Sequence, residues 1–322
     1  MWSLLARLHD GGASIAVGTG VPLDRVEIVT MHGGETHVPL SDVLPVVAIA
    51  SAAALYGLRA AHLARRGRPV PIRKAILFGV AMLVLIVAVV SPVHDLGERR
   101  LFSMHMVQHL LIGDIAPVLA VLGLSRSLLR NLLAMPGAST ARLFTRPLTA
   151  ALVWSLNMTA WHVPPLYDAA LRSDLVHSLA HVCFFVAGML LWSSVLQLVP
   201  DGASNANRVG ALAVAWVVGG VLSNVLVWSG RVYYSAYVDA PTTWGLSHLD
   251  DQRLGGGIML IEMTLVMGSA AVWLAMTMFA DAERRQRQGP ARTAGGSREP
   301  RPPSRNASHG RGGRPSQAPV DR

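Results

Sequence analysis

Long apolar stretches separated by short charged clusters dominate this chain. A helix needs about 20 mostly apolar residues to cross the hydrocarbon core of a bilayer, and seven stretches approach or exceed that length. They predict membrane spans at Val43–Ala61, Ala75–Val93, Met104–Leu124, Pro147–Val163, Leu175–Val199, Val209–Trp228 and Leu254–Ala280. The pattern therefore indicates an all-α integral membrane protein, a bundle of about seven transmembrane helices.

Composition supports the membrane class and narrows the remaining options. Hydrophobic residues make up 52% of the chain and charged residues 15%, well below the roughly 25% charged residues of a soluble domain. Ten of the 28 Lys and Arg residues follow Ala280, in a tail rich in Gly, Pro and Arg. We predict that residues 281–322 are a disordered, basic cytoplasmic tail beside anionic lipid, and not a nucleic-acid-binding segment. The single cysteine, Cys183, excludes an intrachain disulfide.

The distribution of basic residues predicts the orientation. Arginine and lysine cluster between spans one and two (Arg65, Arg66, Arg68, Arg73, Lys74), between spans three and four (Arg126, Arg130, Arg142, Arg146), and in the tail. Basic residues near helix ends favour the cytoplasmic side. We therefore expect residues 1–42 to be an extracytoplasmic segment, residues 43–280 the membrane domain, and the C-terminus to be cytoplasmic.

Two features flank the membrane spans. Residues 1–17 lack the basic start and long apolar stretch of a secretory signal, so we expect no cleaved leader. Within residues 125–146, pairs of leucines recur at helical spacing beside Arg126 and Arg130. This spacing fits an interfacial amphipathic helix and fits a plain loop equally well.

Five histidines are the main candidates for chemistry. His105 and His109 form one pair with a spacing of four residues, His177 and His181 form another, and His162 ends the fourth span. The predicted span directions bring all five to the outer end of the bundle. The four-residue spacing places each pair on one face of its helix. Ionisable groups in apolar spans are costly, so such a group of them marks a candidate site.

Neutral imidazoles clustered in this way suit a metal ion. Histidine nitrogens bind copper and zinc, and copper binds more tightly in the Irving–Williams order. The thioethers of Met104, Met106 and Met259 would favour cuprous copper, although methionines at helical spacing also serve as packing residues. Hydrogen-bonded packing is the alternative interpretation of each single histidine.

Acidic and aromatic residues accompany the histidines. Asp114 and Glu262 lie inside apolar spans, where each can orient a histidine or be protonated and hydrogen-bonded between helices. Asp251 lies on the predicted outer side, where it can hydrogen-bond to a metal-binding histidine or be a solvated turn residue. Aromatic residues prefer headgroup depth, so an outer interfacial belt is predicted for Trp161, Tyr167, Trp228, Tyr233, Tyr234 and Tyr237.

Several motifs together resemble the membrane-integral CtaG family of cytochrome c oxidase assembly proteins. They are HMVQHLL at 105–111 followed by Ala116-Pro117, WHVPPLYDAAL at 161–171, the spaced His177 and His181, and DQRLGGGIM at 251–259. The resemblance covers about residues 40–280. It implies a multi-pass protein of the bacterial plasma membrane that assists maturation of a haem-copper oxidase, with copper insertion as the expected step and oxidase subunits as the expected partners. It implies no role for Glu262.

Three functions follow as hypotheses. The leading one is a non-enzymatic assembly factor that holds copper at the outer face. The second is a haem-bearing electron carrier, because paired histidines on membrane helices can be axial haem ligands. The third is a copper or proton transporter that uses Asp114 and Glu262 as a relay. No residues form the pattern of a nucleophile, a base and an oxyanion hole, so we expect no enzymatic activity.

Overall fold

A short antiparallel sheet precedes the helices. The computed structural model describes residues 14–16, 25–29, 35–135, 142–199 and 201–294. Its strands are β1 (Ser14–Ala16), β2 (Arg25–Val29) and β3 (Glu35–Pro39), in the order β1-β2-β3. Strand β3 pairs antiparallel with β2 and continues directly into the first helix. The sequence pattern did not predict this sheet, which lies before the membrane domain.

Helices form all other regular elements that the structure describes. They are α1 (Leu40–Arg65), α2 (Ile72–Val90), α3 (Pro92–Arg99), α4 (Phe102–Gly123), α5 (Arg126–Leu133), α6 (Pro147–Trp161), α7 (Pro164–Arg172), α8 (Asp174–Val195), α9 (Asn205–Trp228), α10 (Ser235–Val238) and α11 (His248–Ala294). Residues Met1–Met278 belong to one compact unit and Phe279–Arg322 to a second.

The predicted all-α membrane bundle is confirmed. Within the described residues, six helices are long and apolar enough to cross a membrane: Val43–Arg65, Ile72–Val90, Phe102–Gly123, Asp174–Val195, Asn205–Trp228 and His248–Gln286. Large apolar side chains such as Leu58, Leu156 and Leu265 are exposed on these helices and on α6. Exposed apolar surface of this extent is stable against lipid and costly in water.

Helix α6 is the predicted fourth span, and it is shorter than the other six. It has 15 residues, which gives about 22 Å at a rise of 1.5 Å per residue, against a hydrocarbon core of about 30 Å. Its end is fixed by Pro164 and Pro165, which begin α7. Ala150, Ala151 and Trp154 are buried on one face of α6, whereas Leu148, Leu152 and Leu156 are exposed on another.

Helix α4 contains a π-helical turn directly after its two histidines. The turn covers Leu111–Ile115. Pro117 has no backbone N–H, so the carbonyl of Gly113 lacks its ordinary α-helical donor. The N–H of Ala116 instead bonds to the carbonyl of Leu111, five residues back. The turn widens the helix where α8 crosses at Gly188, whose added Cβ would overlap the Gly113 carbonyl oxygen.

Two sequence predictions for the charged segments have different outcomes. Residues Arg126–Leu133 form a helix, which is one of the two structures that the leucine spacing left open. The prediction of disorder from residue 281 onward is wrong for residues 281–294, because α11 continues to Ala294. Alanine, glutamate, arginine and glutamine are good helix formers, and they fill this segment up to residue 288. Residues 295–322 lie outside the described part.

Candidate metal centre

Helix α4 presents two histidines at its first turns. His105 and His109 lie on one face, with their Nε2 atoms 2.9 Å apart. Their rings are nearly perpendicular, at 76°. Both side chains are buried, His105 at 2% and His109 at 7% exposure. The four-residue spacing therefore brings two imidazole nitrogens to one point inside the bundle.

Helix α8 brings its own pair of histidines to the same point. The His177 ring stacks on His105 with a centroid distance of 5.1 Å, and the His181 ring lies 5.6 Å from His109. Ligand nitrogens of His105, His109 and His177 all lie within 4.8 Å of one another. Three imidazoles at this separation can hold one metal ion after small rotamer adjustments.

His162 lies at the edge of this group. Its ring centroid is 6.2 Å from that of His109. Nδ1 lies 2.7 Å from the carbonyl oxygen of Met158, which can only accept a hydrogen bond, so Nδ1 carries the proton. The lone pair of Nε2 then faces Met106, whose Sδ is 3.4 Å away. His162 and Met106 thus offer a nitrogen and a soft sulfur side by side.

Glu98 of α3 orients the cluster from outside the membrane spans. Its Oε1 lies 2.8 Å from Nδ1 of His177 and 2.9 Å from Nδ1 of His94. Burial alone would raise the pKa of Glu98, but hydrogen bonds with His177 and His94 outweigh burial and lower the pKa below its ordinary value. A carboxylate that accepts from one ring nitrogen leaves the other nitrogen as a metal ligand.

Several ring nitrogens have no hydrogen-bond partner among the described residues. They are Nδ1 of His109, Nε2 of His177 and Nε2 of His181, and all three atoms are buried. Buried polar atoms are nearly always paired, so unpaired ones in a cluster indicate a missing partner. A metal ion would be such a partner, and imidazole nitrogens match copper and zinc.

Two small cavities adjoin the histidines. One, of about 30 Å³, is lined by His94, Glu98, His177 and His181 among others. Because the side chains of His94 and Glu98 are 20% and 24% exposed, this cavity connects the cluster to the surface. The second encloses about 10 Å³, and its lining combines two histidines, Asp114, three thioethers and three other apolar side chains: His109, His162, Asp114, Met106, Met158, Met259, Leu110, Trp154 and Phe184.

The three predicted acids occupy different places. Asp251 is buried and accepts from the N–H of Phe102 at 2.6 Å and of Ser103 at 3.2 Å. It therefore caps the N-terminus of α4, and the interpretation as a solvated turn residue is wrong. Asp114 is buried beside the second cavity. No hydrogen bond joins Asp114 or Glu262 to any of the five histidines, and both oxygens of Glu262 are unpaired within the described residues.

A group of buried tyrosines packs beside the cluster, where an interfacial belt was predicted. Tyr167 lies 5.2 Å from the His105 ring and its hydroxyl is 3.1 Å from that of Tyr237. The Tyr234 hydroxyl donates to the carbonyl of His162 at 3.1 Å, and Tyr237 donates to Gly97 at 2.7 Å. The assignment of these residues to a headgroup belt is wrong, because each hydroxyl has an internal partner that satisfies it.

Sequence reasoning missed Glu98 and the tyrosines. The signal for Glu98 was available in HDLGE at 94–98, where His94 and Glu98 have the same four-residue spacing as the histidine pairs. The tyrosines gave no such signal, because their partners lie up to 140 residues away in the sequence.

Comparisons with known proteins identify one family. The model of the cytochrome c oxidase caa3 assembly factor family (Caa3_CtaG) matches residues 54–281. Uncharacterized proteins of Mycobacterium bovis and Mycobacterium tuberculosis are each 27% identical over 265 residues, which cover 74% of this chain and 38% of theirs. The chain thus spans well under half of the length of these relatives. No solved structure matches it.

Proposed function

This chain belongs to the cytochrome c oxidase caa3 assembly factor family, and from that premise we propose that it carries copper for the maturation of a haem-copper oxidase. The ion would bind to His105, His109 and His177, with His162 and His181 as neighbouring donors. The single supporting observation is the convergence of three buried imidazoles whose ligand nitrogens lie within 4.8 Å of one another.

The donor set supports copper over other metals. Zinc and copper both accept imidazole, but copper binds more tightly for a given set of nitrogen donors. Met106 lies 3.4 Å from His162 Nε2, and Met158 and Met259 line the adjoining cavity. Thioether sulfur prefers cuprous copper. The site is therefore suited to Cu(I), with nitrogen on one side and sulfur on the other.

The surroundings of the cluster suit a copper ion that is bound and later released to a partner protein. Glu98 holds His177, and it lies with His94 at a partly exposed cavity on the same side. An ion held by histidines at this edge can pass to ligands of a docked oxidase subunit without crossing the bundle. We infer that the oxidase subunit docks on the face formed by α3 and the start of α8.

The size of the cavities favours copper over haem. Pockets for cofactors usually enclose about 300–1,000 Å³, whereas the two cavities beside the histidines enclose about 30 and 10 Å³. A porphyrin would have to separate α4 from α8 at the Gly113–Gly188 contact. An absorption spectrum of the purified protein tests this choice, because haem gives a strong Soret band and Cu(I) gives none.

The decisive experiment measures copper on the purified protein. The double variant His105→Ala/His109→Ala is compared with the wild type in a Cu(I) competition titration against a chromophoric chelator. The variant His248→Ala is the matched control, because His248 lies at the start of α11 and lines neither cavity. We expect one high-affinity Cu(I) site in the wild type and the control, and its loss in the double variant. Equal copper binding by all three would refute the proposal.

A cellular assay tests the second half of the proposal. Cells that lack the protein should assemble little active oxidase at limiting copper, and the double variant should fail to restore the activity. Added copper should bypass the defect if the role is delivery. A transporter that uses Asp114 and Glu262 instead predicts copper flux into liposomes that Glu262→Gln abolishes.

A further inference from the structure

A large basic cavity lies at the end of the bundle away from the histidines. It encloses about 620 Å³ between the last turns of α1 and the helix α5. Its lining includes Arg59, His62, Arg66, Arg68, Arg130 and Asn131. The histidine pair lies at the beginning of α4, and α5 follows the end of α4. A helix of 22 residues is about 33 Å long, so the two sites are separated by roughly the thickness of the membrane.

The positive charge of this cavity is not neutralised within the described part of the chain. No carboxylate is among the described residues that line it, and its arginines form no ion pair there. Four arginines around one cavity repel one another, and this repulsion falls when an anion binds between them. Arginines cluster in this way in many proteins at sites that bind a phosphate group.

A hydrogen bond holds Arg59 at the wall of the cavity. Its Nη2 donates to Oδ1 of Asn131 at 3.0 Å, which joins α1 to α5. Its Nε is buried and has no hydrogen-bond partner. The bond to Asn131 holds the guanidinium at the wall of the cavity, where its planar fork of donors suits an oxyanion.

An exposed apolar surface of α1 adjoins the basic cavity. Leu55, Arg59 and His62 follow one another at spacings of four and three residues, which places them on one face of α1, and Arg66 directly follows the end of that helix. Leu55 is 67% exposed and Leu58 is 69% exposed. An apolar strip therefore runs along α1 directly from the basic cavity. This arrangement matches a molecule with a phosphate head and acyl chains.

We propose that this cavity binds a phosphate-bearing anion, with the headgroup of an anionic phospholipid as the ligand favoured by the adjoining apolar strip. Basic pockets between membrane helices bind such headgroups. The site is distinct from the histidine cluster and does not depend on copper. A soluble phosphate compound shares the same chemistry, and the experiment separates the two sources.

The test uses the full chain purified in detergent and native mass spectrometry. Dioleoylphosphatidylglycerol and dioleoylphosphatidylcholine are titrated separately, and inorganic phosphate is added as a competitor. The triple variant Arg59→Gln/Arg66→Gln/Arg130→Gln removes three charges from the cavity. The matched control Arg65→Gln/Arg73→Gln/Arg146→Gln removes three exposed charges from the same basic connections outside the cavity.

We expect the wild type and the control to retain phosphatidylglycerol and not phosphatidylcholine. Each arginine near an anionic lipid contributes about 1 kcal/mol, so the triple variant should bind phosphatidylglycerol on the order of 100-fold more weakly. Displacement by millimolar phosphate, together with weak lipid retention, would support the anion site and identify a soluble ligand.

Two results would overturn the proposal: equal lipid affinity in both triple variants, or no binding of phosphatidylglycerol or phosphate by the wild type. The conservative variant Arg59→Lys tests the site even if the triple variant does not fold. It keeps the positive charge and loses the planar fork of donors. We expect it to bind phosphatidylglycerol with an intermediate affinity. Size-exclusion profiles of all variants should match the wild type.

Discussion

Nδ1 of His177 lies 2.8 Å from Oε1 of Glu98, so a carboxylate on the short helix α3 orients a buried histidine of the long helix α8. The contact leaves Nε2 of His177 facing the cluster with no other partner among the described residues. It also joins α3 to α8, because Glu98 lies on α3 and His177 on α8. The geometry of the histidine cluster therefore depends on a residue of a neighbouring helix.

The variant Glu98→Gln should weaken copper binding while leaving all histidines in place. The neutral amide accepts a weaker hydrogen bond from His177, so the ring loses basicity and orientation; we expect about tenfold lower Cu(I) affinity. The measurement is the same chelator competition. Asp95→Asn is the control, because Asp95 is exposed on the same helix. An unchanged affinity for Glu98→Gln would remove Glu98 from the site.

The variant Asp251→Ala should destabilise the bundle at the start of α4. Asp251 accepts the N–H groups of Phe102 and Ser103 and the Ser103 hydroxyl, so its loss leaves buried donors unpaired. Loss of an N-terminal cap and its hydrogen bonds costs about 1–3 kcal/mol. Thermal unfolding in detergent should show a lower midpoint. The exposed residue Asp239 offers the control Asp239→Asn, for which we expect a change within about 0.5 kcal/mol.

Much of this architecture could be predicted from the sequence, because the signals are local. Apolar stretches of sufficient length predict membrane helices, and the four-residue spacing of His105 and His109 predicts a shared face. The alternating direction of the spans then brings His177 and His162 to the same end. These steps need only chain direction and helix geometry.

The parts that escaped prediction depend on contacts between distant segments. We predicted positions on the outer surface for Asp251 and Tyr237, because a polar group next to a membrane span can be solvated as easily as it can be buried. Their partners, Ser103 and Gly97, lie 148 and 140 residues away. Whether such a hydrogen bond forms is decided by tertiary packing, which helical periodicity does not encode.

The variant Gly188→Ala should disrupt the contact between the two helices that carry the histidine pairs. An added Cβ would overlap the carbonyl oxygen of Gly113 and lie 2.8 Å from Cγ of Pro117. Backbone cannot move aside as a flexible side chain can, so α4 and α8 must separate; overpacking of this kind costs about 1–3 kcal/mol. We expect a lower unfolding midpoint and weaker Cu(I) binding in the same protein sample.

Gly220 provides the matched control for that substitution. It lies inside helix α9, and an added Cβ meets nothing within 4 Å. Gly220→Ala should therefore leave copper binding unchanged and raise stability slightly, by up to about 1 kcal/mol, through the higher helix propensity of alanine. Similar effects of both alanine variants would show that the contact at Gly188 has no special role.

The variant Met106→Leu should separate the contribution of sulfur from that of nitrogen. Leucine has nearly the volume of methionine, so packing at this fully buried position changes by less than about 1.5 kcal/mol. The thioether 3.4 Å from His162 Nε2 is lost, however, and only nitrogen donors remain. We expect Cu(I) affinity to fall while Cu(II) affinity is unchanged, because the thioether favours the cuprous ion.

X-ray absorption spectra of the Cu(I)-loaded wild type should show a copper–sulfur shell that the variant lacks. The control Met276→Leu alters an exposed methionine of α11 and should preserve that shell. If the wild-type spectrum contains nitrogen scatterers alone, Met106 is a packing residue and the preference for cuprous copper has no basis.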